Sequence, residues 1–508
     1  MKEQHATEVL ICGAGAAGLT LAIDLARRGV DFRLIEKKTI PFHGSRGKGI
    51  QPRTLEIFED LGIIEGINRL ASLYPPERRY HPDGSQTEAH IVEQRTPSPA
   101  EPWPHPLMLP QYLTEQVMRE RLAELGHQVE FGCELLGFEQ DPEGVTARIQ
   151  GPAGKETLRV QWLTGADGGK SDVRHALNIS FPGKTLGVRA LVADVLMTGL
   201  ERDVWHRFGD GDRERQIAFC PLAATDLFQI QGPLPLEGEV DLSAEGLQSL
   251  ITARTGRKDI HLHAVSWASA YSMNARLAAR YQVGRVFLIG DAAHIHPPTG
   301  GQGLNTSVQD AYNLGWKLHA VIGGASASLL DSYEQERRPV AAAMLDLSTQ
   351  LLSAAQQGDL RRGREVHQLD LGYCDPDLAL EMPARTGGVH AGDRAPDAPL
   401  LRADGQRVRA FELYQGAHWT LIGYQAARHI VQPRPGLNQH IIGMSGDLID
   451  DGNHFLDAYA PAAGDWLLVR PDGYIGAIIV TEQLSALEEY LTRVGLSASL
   501  GLQRNTAR

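Results

Sequence analysis

Cysteine is scarce in this chain: 508 residues hold four, Cys12, Cys133, Cys220 and Cys374. No two stand as a C-x-x-C pair, which excludes the common zinc and dithiol redox motifs. So few thiols suit a reducing compartment, and their lack beyond residue 386 excludes thiol chemistry in that region. No run approaches the ~18–20 apolar residues of a membrane span. The opening MKEQHATE passes straight into VLICGAG, without the apolar core and cleavage site of a secretory signal. A cytoplasmic protein is expected. Basic charge is also short, with 49 Lys and Arg against 62 Asp and Glu, a net charge of -13. Nucleic acid and anionic membranes call for a basic surface, so neither is an expected partner. There is no internal repeat and no low-complexity tract.

Hydrophobic residues make up 42% of the chain and charged residues 22%, as in ordinary globular proteins. At ~100–200 residues per domain the length implies about three domains. The segment EVLICGAGAAGLTLAIDLARRGVDFRLIEKK reads as strand, turn, helix, strand. Leu19, Ile23 and Ala26 give the helix an apolar face, and Gly29 stands at its stop position. From Leu73 to Pro110 the chain is polar and Pro-rich, suited to edge strands and loops covering a pocket. LTEQVMRERLAELG follows as a helix, with Thr114 as N-cap and Gly126 as stop. Short alternating runs from Asn178 to Tyr271 predict a mostly antiparallel sheet. Long helices then reach about residue 358, a loop-rich boundary follows, and a strand-rich unit closes with the helix LSALEEYLTRVG.

Three motifs carry chemistry. Gly13-x-Gly15-x-x-Gly18 lies between strand and helix, and Glu36 ends the next strand eighteen residues later. Gly13 allows the tight turn, Gly15 lets a pyrophosphate approach the backbone, and Gly18 lets helix and strand pack closely. The helix start offers free N–H groups to phosphate. A carboxylate at Glu36 accepts ribose hydroxyls and repels a 2′-phosphate, which favours FAD or NAD over NADP. The second motif, TGADGGKSDVR, sets Asp167-Gly168 after an apolar strand, with Ser171 and Arg174 close behind. The third is GDAAHIHPPTGGQGLN, from Gly290 to Asn305. Asp291 falls at the carboxyl end of the strand RVFLIG, where parallel sheets bind ligands, and can hold a ribitol hydroxyl. Pro297, Pro298 and Thr299 fix an extended turn. Gly300, Gly301 and Gly303 leave room for a flat ring against bare backbone. A helix is expected to start near Leu304–Asn305, with an apolar face of Leu304, Val308, Ala311 and Leu318. Its N-terminus would favour a nearby anion, such as a reduced flavin, by ~0.3–2 kcal/mol. His294 and His296 have no Cys or carboxylate cluster beside them, so packing around this loop is expected and no metal site.

Taken in this order and spacing, the three motifs resemble those of the group A flavoprotein monooxygenases. The likeness is to the phenol, hydroxyphenylpropionate and aromatic polyketide hydroxylases. Further matching stretches are SRGKGIQPRTLEIFEDLGI (45–63), LPQYLTEQVMRERL (109–122) and LLDSYEQERRPVA (329–341), and GDRAPDAPL and LLVRPDGYIGA look like the C-terminal domain of the larger members. The resemblance spans nearly the whole chain. It implies an α/β fold: a Rossmann-like FAD-binding domain, an inserted, mostly antiparallel β-sheet substrate domain and a C-terminal thioredoxin-like domain. The expected division is 1–177 (with 73–110 over the substrate pocket) and 272–385 for the FAD-binding domain, 178–271 for the substrate sheet and 386–508 for the last domain.

The same resemblance implies site roles. Gly13, Gly15, Ala16, Gly18, Glu36 and Lys37 would contact the ADP half of FAD. Arg46 matches an arginine near flavin and pyrophosphate, and Gln111 a residue contacting FAD. Asp167 is associated with FAD and NAD(P)H binding. Asp291 would hold the ribitol, and Pro298, Thr299, Gly300, Gly301, Gly303, Leu304 and Asn305 would line the ring. No second G-x-G-x-x-G is present, so NAD(P)H would bind transiently, reduce the flavin and leave. Dioxygen is the co-substrate, and a flavin 4a-hydroperoxide would pass one oxygen to an aromatic substrate, phenolic or polyketide-like. No catalytic side chain is identified beyond the loop backbone at Pro298, Thr299, Gly300 and Gly301. Substrate-pocket candidates are Trp103, His105, Phe219, Phe228 and Tyr271. A homodimer is left open, as are Baeyer–Villiger or antibiotic-modifying chemistry on the same scaffold and a non-catalytic FAD-binding sensor. A pyridine-nucleotide dehydrogenase leaves the third motif unused, and a flavin halogenase lacks its Trp-x-Trp-x-Ile-Pro signature.

Overall fold

The computed structural model describes residues 7–209, 212, 214–373, 377–428 and 430–497. Cys374 lies outside the described residues. Among them the chain forms three eight-stranded sheets and a small three-stranded one. The first large sheet has the order Gln282–Val283, Val286–Leu288, Gly154–Gly165, Thr7–Cys12, Phe32–Glu36, Glu130–Phe131, with Val145–Gly151 and Glu134–Gln140 folding back beside Gly154–Gly165. Its core is parallel: Val9 stands opposite Phe32 on one side and Trp162 on the other. Successive side chains of a strand point to opposite faces, and Val9, Leu10 and Ile11 are all fully buried, so both faces are covered. Such burial on both sides is why EVLIC is a continuous apolar run.

Register decides where the motifs meet. Cys12 is opposite Gly165, and Gly165 is opposite Leu288. Three parallel strands therefore end on one edge. The chain leaves that edge as Gly13, as Ala166–Asp167 and as Ile289–Asp291, so segments about 150 and 120 residues apart in sequence arrive side by side.

The second sheet runs His294–Ile295, His261–Leu277, Gly183–Thr198, Leu227–Leu234, Ile217–Pro221, Trp205–Phe208, Glu77–Tyr80, Gln86–Ala89. It is antiparallel throughout except where Trp205–Phe208 meets Glu77–Tyr80. The Pro-rich region thus contributes a hairpin to one edge. The opposite edge is part of the third motif, with His294 opposite Leu277. The strand His261–Leu277 itself runs six residues past Tyr271.

The third sheet is mixed and lies toward the C-terminus, in the order Leu380–Met382, Ile475–Val480, Asp465–Val469, Trp419–Tyr424, Leu437–Ile442, Leu448–Ile449, Pro399–Arg402, Arg407–Arg409. A buried polar knot docks it on the long helices Gln302–Ile322 and Asp331–Gln356. Arg470 donates to both oxygens of Glu336, at 2.6 and 2.9 Å, and to both oxygens of Asp472, at 3.0 and 2.7 Å. Lys317 donates to Glu336 at 2.6 Å, and the Trp316 indole donates to Asp472 at 2.9 Å.

Two helix starts differ from the sequence expectation. The helix expected to begin at Thr114 spans Gln111–Glu124, because Pro110 pre-sets the entry and the Gln111 N–H is satisfied by the Gly47 carbonyl at 2.9 Å. The helix expected near Leu304 begins at Gln302, because Gly301 takes a left-handed conformation (φ 65°) that no β-carbon opposes.

Candidate functional site

At the shared strand edge opens a cavity of about 1070 Å³ that continues to the antiparallel sheet. Gly13, Gly15, Ala16, Glu36, Lys37, Arg46, Gln111, Asp167 and Asp291 line it, together with Pro298, Thr299, Gly300, Gly301, Gly303 and Leu304. Two helices point uncapped N-termini at it. No side chain caps Ala16–Arg27 at Gly15 or Gln302–Ile322 at Gly301. Unsatisfied N–H groups and the positive ends of two helix dipoles thus face one void, an arrangement suited to an anion.

The glycines separate into two kinds. A β-carbon on Gly13 would lie 2.3 Å from the Ala166 carbonyl oxygen, and one on Gly18 would lie 1.9 Å from that of Gly13. Those two positions are closed to a side chain by protein; Gly13 still borders the cavity with its backbone, while Gly18 does not line it. Gly15 has nothing nearer than Glu115 Oε1 at 3.9 Å, and Gly303 has nothing within 4 Å. Those two are bare toward the void, as a cradle for a pyrophosphate and a flat ring requires. FAD fits this donor set.

The acids fit as well. Glu36 accepts the Ala14 N–H at 3.1 Å and the Lys38 N–H at 3.1 Å, which holds its carboxylate at the end of its strand. Asp167 accepts the Val173 N–H at 3.1 Å with one oxygen, while the other is buried without a partner. Burial raises its carboxyl above the usual range against the hydrogen bond from Ser171. Enclosure likewise raises Asp291, with His294 and Arg46 pulling the other way. A carboxyl so placed gains from a hydroxyl donor, and a ribitol chain supplies several.

Asn305 does not line the cavity. It is fully buried and acts as a staple: its Oδ1 accepts the Gln51 N–H at 2.8 Å and its Nδ2 donates to the carbonyls of Gly49 (3.0 Å) and Gly301 (2.5 Å). The loop at Gly300–Gly301 is thereby tied to the segment after Arg46. The two histidines are also structural in their contacts. His294 bonds Asp310 at 2.6 Å, His296 bonds His294 at 2.9 Å, and Arg337 closes the other oxygen of Asp310 at 2.9 Å. Burial depresses His296 to about 3, so it is neutral at any working pH.

The strand period sorts the substrate candidates. Trp267, Ser269, Tyr271 and Met273 alternate along one strand and all line the cavity. Burial pushes the Tyr271 phenol up to about 12, which keeps it a proton donor. Across the sheet Ala218, Gln229 and Gln231 face the same void. Phe219 and Phe228 sit one residue out of phase, so they point to the opposite face and pack with Phe208 and Ile230 in a core. Trp103 and His105 also lie outside the cavity wall, and the Trp103 indole donates to Glu59 at 2.9 Å. The residues that take those places, Lys48, Tyr74, Trp205 and Arg362, escaped the sequence reading. They come from four segments with no common motif, and only the register of the sheet brings them together. Among the described residues no cluster of three His, Cys, Asp or Glu could hold a metal, and no helix is long and apolar enough to cross a membrane.

Comparison with known proteins agrees with this geometry. A family model described as an FAD binding domain matches residues 6–348. A flavin-dependent monooxygenase of Mycobacteroides abscessus is 40% identical over 492 residues, covering 96% of this chain and 99% of its own. The 12-dehydrotetracycline 5-monooxygenase/anhydrotetracycline 6-monooxygenase of Streptomyces rimosus is 32% identical over 497 residues, covering 92% and 94%. Among solved structures, the ternary complex of aklavinone-11 hydroxylase with FAD and aklavinone superposes with a TM-score of 0.82 at 27% identity, covering 97% of this chain and 99% of that one.

Proposed function

The chain belongs to the FAD-dependent aromatic and polyketide monooxygenases, and from that premise we propose that it hydroxylates a polycyclic aromatic substrate held between the loop at Pro298–Gly303 and the antiparallel sheet. The overall change is substrate–H + NAD(P)H + H⁺ + O₂ → substrate–OH + NAD(P)⁺ + H₂O. FAD, when bound, supplies the electron storage and the activation of oxygen. The observation that carries the reading is one continuous cavity of about 1070 Å³, with nucleotide-type glycines at one end and a strand-built wall at the other. That volume holds a cofactor headgroup and a drug-sized ring system together.

The chain's own residues bind, orient and exclude water. Gly13, Gly15, Ala16 and Gly18 shape the pyrophosphate cradle, and Glu36 and Lys37 meet the ribose side. Arg46 and Gln111 meet the flavin and its phosphates, Asp167 and Asp291 take hydroxyl donors, and the backbone from Pro298 to Leu304 backs the ring. Burial raises Glu115 behind Gly15, against the pull of Gln111, and a carboxyl held toward its neutral form there limits repulsion of the phosphates. Trp267, Tyr271, Met273 and Ala218 form the drier wall, where fixed dipoles replace water around the reacting atoms. The unit from residue 386 is read as a thioredoxin-like scaffold without thiol chemistry, since it has no cysteine. Among the described residues the cysteines Cys12, Cys133 and Cys220 are buried and unpaired, which together with a need for NAD(P)H suits the cytoplasm.

The test is direct. Purified protein should show a bound-flavin spectrum and oxidise NADH or NADPH faster when aromatic polyketides are added. Under isotopically labelled dioxygen the product should carry one labelled oxygen. A protein that cannot take up FAD, or a product labelled only from water, overturns the proposal.

A further inference from the structure

At the substrate end the cavity wall carries a buried lysine with no carboxylate within ion-pair distance among the described residues. Lys48 is only 8% exposed. Its Nζ donates to Gln229 Oε1 at 2.5 Å and stands 4.5 Å above the Trp205 ring. Among the described residues no carboxylate lies within ion-pair distance of it. Asp194, whose field reaches Lys48, already accepts both the N–H and the hydroxyl of Ser45. Arg362 lines the same wall; among the described residues its guanidinium donates to the Arg361 carbonyl, and the fields of Glu365 and Asp359 reach it without an ion pair. Arg207, also on the wall, is matched by Glu77 at 2.8 Å. The other titratable groups facing this end are the Cys220 thiol and the Tyr74 phenol, which burial holds protonated. A buried, unpaired ammonium is costly, so its place beside a ring-sized void points to a ligand that supplies the missing charge.

The backbone fixes where that charge must be. The Gly47 carbonyl accepts from Gln111 at 2.9 Å, the Lys48 carbonyl from Leu109 at 2.8 Å and the Gly49 carbonyl from the Asn305 staple at 3.0 Å. The main chain of Lys48 is therefore part of the flavin-loop wall, while its side chain reaches across to Gln229 on the antiparallel sheet. A flat molecule lying between the two walls has to pass Nζ.

We propose that the substrate is a fused-ring phenol bound as its phenolate, with Lys48 Nζ as the partner of the oxyanion and Arg362 adding positive field. This rests on the hydroxylase reading above. The hydroxyl gives its proton to solvent as the substrate enters, which leaves phenolate against the Lys48 ammonium. The freed electron pair on oxygen then raises the electron density of the ring carbons ortho and para to it, those at which hydroxylation replaces hydrogen. Burial lowers the proton affinity of Lys48, with Cys220 and Asp194 pulling the other way, and a phenolate against Nζ would hold the ammonium charged. Lys48 is thus the group that holds the substrate in its ionised form and fixes its orientation.

Alizarin serves as the probe, because its absorption reports ionisation, and unsubstituted anthraquinone as its uncharged counterpart. Both are titrated by difference spectroscopy into FAD-loaded protein, at a pH where free alizarin is largely neutral. The wild type should bind alizarin in its ionised form and at least tenfold more tightly than anthraquinone. Lys48→Met should lose about tenfold in alizarin affinity and the ionised spectrum, with anthraquinone binding changed less than twofold. Lys48→Arg should restore the affinity. Should Lys48→Met fail to retain FAD, Arg362→Met carries the test, with a several-fold loss for alizarin alone. A wild type that binds neither probe or prefers anthraquinone, or variants that weaken both equally, overturns the proposal. The reading is binding, so ionised alizarin held through Lys48 by a protein that never oxidises NAD(P)H would sink the hydroxylase assignment and leave the anion site standing.

Discussion

Two groups of charge inside the fold, one in a packed interface and one around the cavity, behave in opposite ways. In the knot of Lys317, Glu336, Arg470 and Asp472, two cations meet two carboxylates and every contact is within 3.0 Å. Around the cavity Lys48, Arg362, Asp291 and one oxygen of Asp167 lack an ionic partner. Lys48 is buried as the knot is, so burial alone does not separate structure from function. Completeness does. Where the chain answers its own charges it holds its parts together, and where it leaves them open it leaves them for something else.

The largest expected effect comes from breaking the complete set. Arg470→Met leaves Glu336 with Lys317 as its one cation and Asp472 with only neutral donors such as the Trp316 indole, and should cost ~3–5 kcal/mol in chemical denaturation. The double variant Arg470→Met with Glu336→Gln should recover part of that, because the two sites share one network. Additive losses would show that the knot is merely packed.

Next comes the open set. Gly15→Val should leave the denaturation midpoint of FAD-free protein nearly unchanged, since the new β-carbon meets nothing nearer than 3.9 Å. It should weaken FAD by about 100-fold, ~2.7 kcal/mol, measured by flavin fluorescence on titration. Stability falling together with affinity would mean that Gly15 belongs to the closed set, with Gly13 and Gly18.

The smallest effect is a pH slope. Burial alone would raise the Glu336 carboxyl, but Arg470 and Lys317 outweigh it and hold it at about 2. Its folded value therefore lies below that of an unfolded glutamate, ~4.3. The stabilisation is present above that unfolded value and fades as pH falls from there toward 2. Glu336→Gln should flatten the stability curve in that window, and an unchanged slope would assign the acid response to other carboxyls.

The same contrast explains what the sequence could reveal. The cradle was legible because it is a backbone requirement: Gly13, Gly15, Gly18, Gly300, Gly301 and Gly303 can each be argued from local chain geometry. Asp167 and Asp291 were legible because each ends an apolar run. The substrate wall was not. Phe219 and Phe228 are aromatic residues on the expected sheet, but a strand shows its two faces equally in sequence, and only the pairing of Phe219 with Ile230 and of Phe228 with Pro221 reveals which way each residue turns. Lys48, in SRGKGIQ, reads as a surface lysine, since its partner Gln229 is 181 residues away. Even the helix ends were shifted by contacts from afar, as with Gln111 and the Gly47 carbonyl.

The register that gathers the three motifs also sets a timetable. Thr7–Cys12 leaves the ribosome first, but one of its neighbours, Gly154–Gly165, follows only after most of another 150 residues, and the next strand, Val286–Leu288, later still. The loop at Pro298–Gly303 comes after all of them. Contacts so distant along the chain pay their loop-closure entropy before they return any stability, which makes such folds slow. A growing chain of this protein therefore has no complete flavin site until about 300 residues have been made, and cofactor capture becomes one of the last events of its folding rather than a seed for it.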